Sequence, residues 1–306
     1  MKKIPLVELE PHIDLDNRHA RWSNEAKHFN VPTTMLKVSM ALIPGIIVLW
    51  YWYGNGVWLQ ILNAGFWACI GESIVLKIRQ QPIIPALSDY SALLAGLLLG
   101  ICLPAQAPWW LGCWGGLTAS MLGKQLFGGL GQNPFNPAML AYLILLLGFP
   151  IEMTVWLDPY SGADMQTAAT PLDRLNTPGA LWPWVSVQLA FLIGGLWLIQ
   201  QKIIPYALPA GVVIGFLIIT ALVGLPFTSV ILGASCFGAF FIATDPVTSP
   251  NTQAAKWLFA LGVGGLTAYI RSLEHFPDGF AFAIILMNSL APWFDQLFQP
   301  KPSHFK

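Results

Sequence analysis

The amino-acid sequence predicts an all-α integral membrane protein of about ten transmembrane helices, arranged as two five-helix inverted repeats. Three features lead to this prediction: the apolar composition, the one-sided distribution of cationic residues and an internal repeat. Of the 306 residues, 55% are hydrophobic and 10% are charged, whereas an average soluble domain contains about 25% charged residues. No soluble core could bury that much apolar surface, so a lipid membrane is the expected environment. The formal net charge of zero also argues against nucleic acid as a partner.

Ten apolar stretches are close to the length of about 20 residues that a bilayer-spanning helix requires. Breaks at Gly, Pro or charged residues separate them, and they cover residues 35–53, 57–78, 88–104, 107–126, 136–156, 182–199, 204–223, 226–243, 257–273 and 279–297. The chain is accordingly predicted to consist of five parts. These are an N-terminal tail (1–34), a first five-helix repeat (35–156), a long loop (157–181), a second five-helix repeat (182–297) and a C-terminal tail (298–306).

The distribution of Lys and Arg predicts the orientation of these helices. If the N-terminus is cytoplasmic, thirteen of the fifteen cationic residues fall on the inner side, and only Arg174 and Arg271 fall on the outer side. Cytoplasmic segments of membrane proteins carry an excess of Lys and Arg, so both termini are predicted to be cytoplasmic. The loop 157–181 is predicted to face outward, which in a bacterial inner membrane means the periplasm.

A five-residue sequence, GGLTA, occurs at 115–119 and again at 264–268. The first copy lies in the fourth predicted helix and the second in the ninth. Because five is an odd number of helices, the two copies run through the membrane in opposite directions. This pattern is typical of an inverted repeat, which many transporters and channels use to build a site between their halves.

Two stretches rich in Gly, Pro, Asn and Thr interrupt the predicted helices near the inner side. They are GGLGQNPFNPAM, residues 128–139, and FIATDPVTSPNTQ, residues 241–253. Irregular backbone at membrane depth is tolerated only where it is buried in protein or lines a polar site. The sequence leaves two interpretations open: these stretches form a ligand or cofactor site, or they are ordinary tight turns.

Three ionisable residues stand out among the apolar stretches. An intramembrane carboxylate such as Glu72 usually has a function or a partner, so it either handles ions or protons or pairs with Lys77 or Arg79, one to two turns away. Asp245 is either the cap of an Asx turn or part of an ion or cofactor site. Lys124, at the inner end of the fourth predicted helix, is predicted to extend toward lipid headgroups, and phosphate binding is the alternative.

The cysteines and histidines give weaker signals. The four cysteines lie in apolar segments at irregular spacing and are interpreted as small core residues. A disulfide between Cys102 and Cys113, near one predicted membrane surface, is the alternative. None of the five histidines forms a metal-ligand pair in the sequence, so no metal site is predicted.

The outer loop contains a motif of the form D-x-x-T-x-A-T, from Asp164 to Thr170. Its spacing alone favours an ordinary Ser/Thr-rich turn in which Thr170 acts as a cap. Together with the strings SALLAGLLLGICLPAQAPWW, GQNPFNPAML and FIATDPVTSP, however, the motif resembles a known family. That family comprises the D subunits of the Rnf (or Rsx) electron-transport complexes and the related B subunit of the sodium-pumping NADH:quinone oxidoreductase. The resemblance covers nearly the whole chain after the N-terminal tail.

This resemblance implies that Thr170, the last threonine of the motif, carries FMN through a phosphoester bond to its side-chain oxygen. Ala168 stands where the family commonly has Gly, and one additional methyl group should not prevent attachment. Pro171 favours extended backbone at Thr170, and the small neighbouring side chains leave room for the nucleotide. The family also implies a possible second, noncovalent flavin near the two cytoplasmic breaks.

The family further implies that the chain is one subunit of an inner-membrane redox pump. Electrons would pass between NADH and ferredoxin or flavodoxin while Na⁺ or H⁺ moves across the membrane. The partners would be the A, B, C, E and G subunits, especially the second flavin-carrying subunit. Glu72 and Asp245 are then the candidate ion-coupling residues. The helix layout alone also suits a channel or transporter for a small neutral solute, but such a protein has no use for the D-x-x-T-x-A-T motif.

Overall fold

A computed structural model describes residues 30–154, 156, 181–230, 233–273 and 279–298 of the chain. Every secondary-structure element in these ranges is helical. The α-helices are α1 (Val31–Tyr53), α2 (Gly56–Ile78), α3 (Ile83–Leu87), α4 (Ser91–Cys102), α5 (Trp109–Met121), α6 (Pro137–Gly148), α7 (Pro150–Thr154), α8 (Trp182–Gln200), α9 (Ala207–Val223), α10 (Ser235–Phe237), α11 (Gln253–Ser272) and α12 (Gly279–Phe298). Two 3₁₀ turns, Gln125–Phe127 and Phe227–Val230, and a π-helical turn, Gly238–Ile242, complete the described elements.

Four of these helices, α1, α2, α8 and α12, are long and apolar enough to cross a membrane. Their bounds agree closely with four of the predicted apolar stretches. The prediction of an all-α membrane protein is therefore confirmed. The total of ten transmembrane helices and the inverted direction of the two halves stay predictions.

Several of the predicted spans are shorter in the structure than in the sequence analysis, and those of α4 and α6 are the shortest continuous ones. Helices α4 and α6 contain 12 residues each, which at 1.5 Å per residue makes each roughly 18 Å long. The hydrocarbon core of a bilayer is about 30 Å thick. The predicted span 136–156 divides because Pro150 disfavours helical backbone at Phe149, and Pro150 instead begins the short helix α7.

The prediction of a continuous helix over residues 226–243 is wrong. The described part of this segment consists of a 3₁₀ turn, the three-residue helix α10 and the π-helical turn. Gly233 has a positive φ of 66°, a conformation that favours glycine and ends a regular helix. The buried side chain of Gln188, on α8, accepts hydrogen bonds from the backbone N–H groups of Cys236 and Phe237. A side-chain amide thus satisfies backbone donors that a continuous helix would have paired internally.

The broken segment covers a buried cation at the end of α11. Arg271 is 7% exposed, and its Nη1 donates to the carbonyl oxygen of Ser229 at 2.9 Å and to Oγ of Ser235 at 3.2 Å. Its guanidinium lies 5.1 Å from the centre of the Phe216 ring. Gly233 allows the segment to approach closely, since a Cβ there would lie 2.6 Å from Nη2 of Arg271. Arg271 therefore holds the irregular segment against α9 and α11.

The helices of the two halves pack in corresponding pairs. In the first half α2 packs against α5, and in the second half α9 packs against α11. Between the halves, α1 packs against α8 and α6 packs against α12. This arrangement is the one expected if α1, α2, α5 and α6 correspond to α8, α9, α11 and α12.

The repeated GGLTA sequence is offset by one residue between the two halves. A Cβ on Gly116 would lie 2.3 Å from the carbonyl oxygen of Ala64 on α2, and a Cβ on Gly264 would lie 1.9 Å from that of Val212 on α9. These two glycines make the equivalent helix contacts, because only glycine permits so close an approach of backbones. The sequence match, however, pairs Gly116 with Gly265. The GGLTA match therefore identifies two corresponding helices, α5 and α11, but aligns them one residue away from the register of their packing contacts.

Candidate functional site

The two Gly/Pro-rich breaks, far apart in the sequence, meet in the structure. Asn136 caps the N-terminus of α6, and its Oδ1 accepts hydrogen bonds from the backbone N–H groups of Ala138 and Met139 at 3.1 and 3.2 Å. The same side chain donates through Nδ2 to Oδ2 of Asp245 at 3.2 Å. A single amide thus fixes the start of a helix in the first half and contacts a carboxylate in the second half.

Asp245 forms the predicted Asx turn. Its Oδ1 accepts a hydrogen bond from the backbone N–H of Val247 at 3.1 Å. Burial among protein atoms raises the pKa of the Asp245 carboxyl above its ordinary value, while hydrogen bonds from Val247, Thr248 and Asn136 oppose that shift. The two interpretations of Asp245 are therefore compatible, because the capping carboxylate also lines a cavity.

A cavity lies where these breaks meet, between the two halves. The cavity has a volume of about 100 Å³, and the open space amounts to about 850 Å³ when the solvent at its mouth is included. Phe240 and Phe241 from the π-helical turn form part of an apolar wall, and π turns are frequent at functional sites. The polar side chains in the wall include Ser91, Lys124, Asn133, Asn136 and Asp245. A largely apolar cavity with a few convergent polar groups is typical of a small-molecule site.

The cavity wall includes the first turns of two helices. Ser91, the first residue of α4, and Pro137, the first residue of α6, are both lining residues. Helix N-termini carry a partial positive charge. Together with Lys124, these helix starts place positive charge in a wall that also contains the Asp245 carboxylate.

The predicted partner of Glu72 is wrong, and so is the predicted environment of Lys124. Glu72 is 1% exposed and Lys124 is 3% exposed, and Nζ of Lys124 lies 2.5 Å from Oε1 of Glu72. Lys77 is exposed, and among the described residues Nη1 of Arg79 donates to Oε1 of Gln125, at 3.4 Å. The helix spacing favoured Lys77 and Arg79, but tertiary packing brings Lys124, 52 residues away, to the carboxylate instead.

Further polar groups complete this buried network. Nε2 of Gln125 donates to Oε1 of Glu72 at 2.7 Å, and Nζ of Lys124 donates to Oγ of Ser91 at 2.7 Å. Asp89 accepts from both the backbone N–H and the hydroxyl of Ser91, and its Oδ2 lies 3.9 Å from Nζ of Lys124. The network therefore joins α2 and the start of α4 to the residues that follow α5.

One oxygen of Glu72 is left over. Within the described ranges, Oε2 of Glu72 is buried and has no hydrogen-bond partner. A buried carboxylate oxygen without a partner is energetically unfavourable. The intramembrane position of Glu72 predicted that it has either a partner or a function. Among the described residues, Lys124 and Gln125 contact Oε1 of Glu72, and Oε2 has no hydrogen-bond partner.

Sequence reasoning missed several polar residues at the inner side. Ser91, Asp89 and Gln125 gave no pattern that would have distinguished them from ordinary turn residues. Asp295, on α12, accepts hydrogen bonds from the backbone N–H groups of Asn251 and Thr252 at 2.9 Å each. It fixes the end of the second break, and the only available signal was a lone carboxylate late in an apolar helix.

Comparison with known proteins identifies the family. Residues 23–304 match the sequence profile described as the NQR2, RnfD, RnfE family. The chain belongs to this family. Proteins of Escherichia coli, Escherichia fergusonii and Shigella boydii, each named as the D subunit of an ion-translocating oxidoreductase complex, are 38% identical to it over 327 aligned residues. The alignments cover 87% of this chain and 92% of each relative.

In this member of the NQR2, RnfD, RnfE family, the D-x-x-T-x-A-T motif lies outside the described residues, and so does Thr170. The residues flanking the loop 157–181 are described in part. The ring of Trp156 lies 5.2 Å from that of Trp184 and 6.0 Å from that of Tyr53, centre to centre. Nε1 of Trp52 donates to Oγ of Ser186 at 2.9 Å. An aromatic cluster therefore joins the two ends of the loop to the end of α1.

The disulfide between Cys102 and Cys113, which the sequence left open, does not form in the structure. The structure describes Cys69, Cys102, Cys113 and Cys236, and none of these four is in a disulfide; each is partly buried. Their interpretation as small packing residues fits this arrangement.

Proposed function

We propose that this chain is the D subunit of an ion-translocating oxidoreductase complex in the bacterial inner membrane. The observation that carries the proposal is the match over 92% of the length of relatives that bear this name. The chain would bind FMN covalently through Thr170 and relay electrons between NADH and ferredoxin or flavodoxin while Na⁺ or H⁺ is transported. Its partners would be the A, B, C, E and G subunits, with the second flavin-carrying subunit on the periplasmic side.

The aromatic cluster supports a flavin at the outer side. Tyr53, Trp156 and Trp184 place flat rings where the loop 157–181 leaves and rejoins the helices. Aromatic rings stack with other planar π systems, so this cluster suits the isoalloxazine ring of a flavin carried on the loop. The flavin would supply reversible electron transfer, and the protein would determine its position and hydrogen bonding.

The cavity supports a second, noncovalent flavin at the inner side. Phe240 and Phe241 offer an apolar surface for a planar ring. Asn133, Asn136 and Asp245 offer donors and acceptors that match the polar edge of such a ring. These residues would bind and orient the ring, and the Asn136–Asp245 contact would connect its position to both halves of the molecule.

Glu72 and Asp245 are the residues that we propose for ion coupling. Both lie near the inner side in the predicted orientation, and both are carboxylates in contact with the other polar groups of the cavity region. Among the described residues Oε2 of Glu72 has no hydrogen-bond partner, which favours Glu72 as the residue that takes up a proton or a cation. A channel for a small neutral solute is disfavoured, because the wall of the cavity between the halves includes Lys124, which is ion-paired with Glu72.

Denaturing gel electrophoresis of the purified chain under ultraviolet light tests the proposal. Covalently bound flavin remains on the polypeptide and fluoresces, whereas noncovalent flavin is released. The parent chain should fluoresce, Thr170→Ala should abolish the signal, and the matched control Thr167→Ala should retain it at least in part. Fluorescence that survives in Thr170→Ala would exclude Thr170 as the attachment residue. A parent chain without fluorescence would contradict the covalent flavin itself.

A further inference from the structure

Lys124 belongs both to the wall of the cavity and to the buried network of Glu72. Its Nζ donates to Oε1 of Glu72 and to Oγ of Ser91, and its side chain lines the cavity. Among the lining residues in the described part of the chain, it is the only Lys or Arg. Glu72 does not itself line the cavity. Lys124 is therefore the direct contact between the cavity and the buried carboxylate.

The chemistry of lysine allows this contact to change. An ammonium group has three N–H donors, and Glu72 and Ser91 use two of them. Asp89, with its Oδ2 3.9 Å from Nζ, attracts the ammonium without a hydrogen bond. Lysine carries a compact charge on a flexible four-carbon stem. The ammonium can consequently turn from one acceptor to another while the backbone stays in place.

We propose that Lys124 is a positioning residue that transmits the charge of the cavity's occupant to Glu72. A negative charge in the cavity draws the ammonium away from Glu72. The carboxylate, 1% exposed and with Oε2 already unpartnered, then lacks its counter-charge. A buried, unpaired carboxylate is strongly unfavourable, so Glu72 takes up a proton. One negative charge gained in the cavity is balanced by one positive charge taken up at Glu72.

This inference deepens the proposed function and rests on it in one respect. The negative charge in the cavity would come from an electron-accepting flavin bound there. The link between Lys124 and Glu72 can be tested without that flavin. Leu94 lines the cavity and lies three residues after Ser91 on α4, so the two side chains share a helix face. Leu94→Asp places a carboxylate in the cavity on the face of α4 that carries Ser91, the hydrogen-bond partner of Lys124, and Leu94→Asn has the same shape without the charge.

The experiment measures the rate at which dicyclohexylcarbodiimide modifies Glu72, by mass spectrometry of the purified complex at a fixed pH. This reagent modifies protonated carboxyl groups in apolar surroundings, so the rate reports proton uptake at Glu72. Leu94→Asp and Leu94→Asn are each made in the parent chain and in a Lys124→Met background. Such a double-mutant cycle separates an effect carried by Lys124 from the sum of two independent effects.

With Lys124 present, labelling of Glu72 should be about fivefold faster in Leu94→Asp than in Leu94→Asn. In the Lys124→Met background both rates should be high, and their ratio should fall below about twofold because the connection is missing. If the ratio of the Leu94→Asp rate to the Leu94→Asn rate is the same in both backgrounds, the introduced carboxylate acts on Glu72 directly through space and not through Lys124. A ratio near one in both would show that Glu72 does not sense the cavity. Either result overturns the proposal.

A companion measurement distinguishes this proposal from the proposed function. The unmodified complex is labelled before and after reduction with dithionite. If the introduced carboxylate changes the labelling and reduction does not, the Lys124 link is upheld and the flavin in the cavity is contradicted. If the purified complex releases a noncovalent flavin but the variants show no coupling, the flavin proposal is upheld and the role of Lys124 is overturned.

Discussion

Lys124 and Arg271 are buried cations at the ends of corresponding helices, yet their surroundings differ. Lys124 follows α5 in the first half and is 3% exposed, and Arg271 ends α11 in the second half and is 7% exposed. Lys124 contacts a carboxylate, a hydroxyl and a cavity. Arg271 contacts a backbone carbonyl, a hydroxyl and an aromatic ring beneath an irregular segment.

The difference separates a cation that can change partners from one that holds a fold together. The guanidinium of arginine is planar, offers donors in a fixed fork and stacks on aromatic rings. Those properties suit the contacts with Ser229, Ser235 and Phe216, which together fix one geometry. Lysine offers a point charge on a flexible stem, which suits exchange between Glu72 and a ligand. We infer that the first half carries the switching cation and the second half the structural one.

The largest expected effect concerns the sides of the membrane on which the two cations lie. In an otherwise cysteine-free chain, Gln166→Cys should react with an impermeant thiol reagent added to intact spheroplasts, and Gln253→Cys should not. The reason is the thirteen-to-two division of cationic residues. Permeabilised spheroplasts provide the control, in which both positions should react. The opposite labelling would place Lys124 outside and Arg271 inside, and would reverse the side assigned to the covalent flavin.

A smaller but substantial effect is expected when Arg271 is removed. Arg271→Met should lower the free energy of unfolding by about 3 kcal/mol, because the substitution leaves the buried carbonyl of Ser229 and hydroxyl of Ser235 without this donor. Thermal unfolding in detergent measures the change. Lys77→Met, at an exposed position on α2, is the matched control and should change stability by less than about 0.5 kcal/mol. If the two variants unfold alike, Arg271 is not the structural cation.

The smallest effect is expected for two carboxylates: Glu72, which pairs with Lys124, and Asp245, which lines the same cavity as Lys124. Glu72→Gln and Asp245→Asn should keep the covalent FMN but lower ion-coupled electron transfer by roughly tenfold, or about 1.4 kcal/mol. Ferredoxin-linked NADH turnover in vesicles, with and without an uncoupler, measures it. Glu152→Gln, on the short helix α7, serves as the control. Parental turnover and pumping in both variants would make Glu72 and Asp245 structural and assign the ion path to other subunits.

The sequence predicted those features of the fold that depend on local patterns. Apolar length predicted α1, α2, α8 and α12 to within four residues at each end, because a membrane-spanning helix satisfies its own backbone hydrogen bonds. It failed over 226–243, where the side chain of Gln188 pairs with backbone donors 48 and 49 residues away. Such tertiary contacts can support a broken helix in a stretch that is apolar enough for a continuous one.

The candidate site could be predicted only in part, for a similar reason. The Gly/Pro-rich composition of the two breaks indicated a site between the halves, and the contact of Asn136 with Asp245 brings them together. The partner of Glu72 could not be predicted, since spacing on one helix favours neighbours such as Lys77 and cannot reveal a lysine that follows α5. Thr170 lies outside the described residues, so its role as the flavin attachment residue stays a prediction.

The short helices α4 and α6 bear on how the membrane voltage acts on this protein. Each begins at the cavity and is roughly 18 Å long, whereas the hydrocarbon core is about 30 Å thick. If water enters the cavity from the cytoplasm, the voltage falls mainly across the thinner layer beyond it. Moving one elementary charge through 100 mV corresponds to about 2.3 kcal/mol. Most of that electrical work would then be done when an ion moves between the cavity and the outer surface. The entry of an ion into the cavity from the cytoplasm would depend little on the voltage.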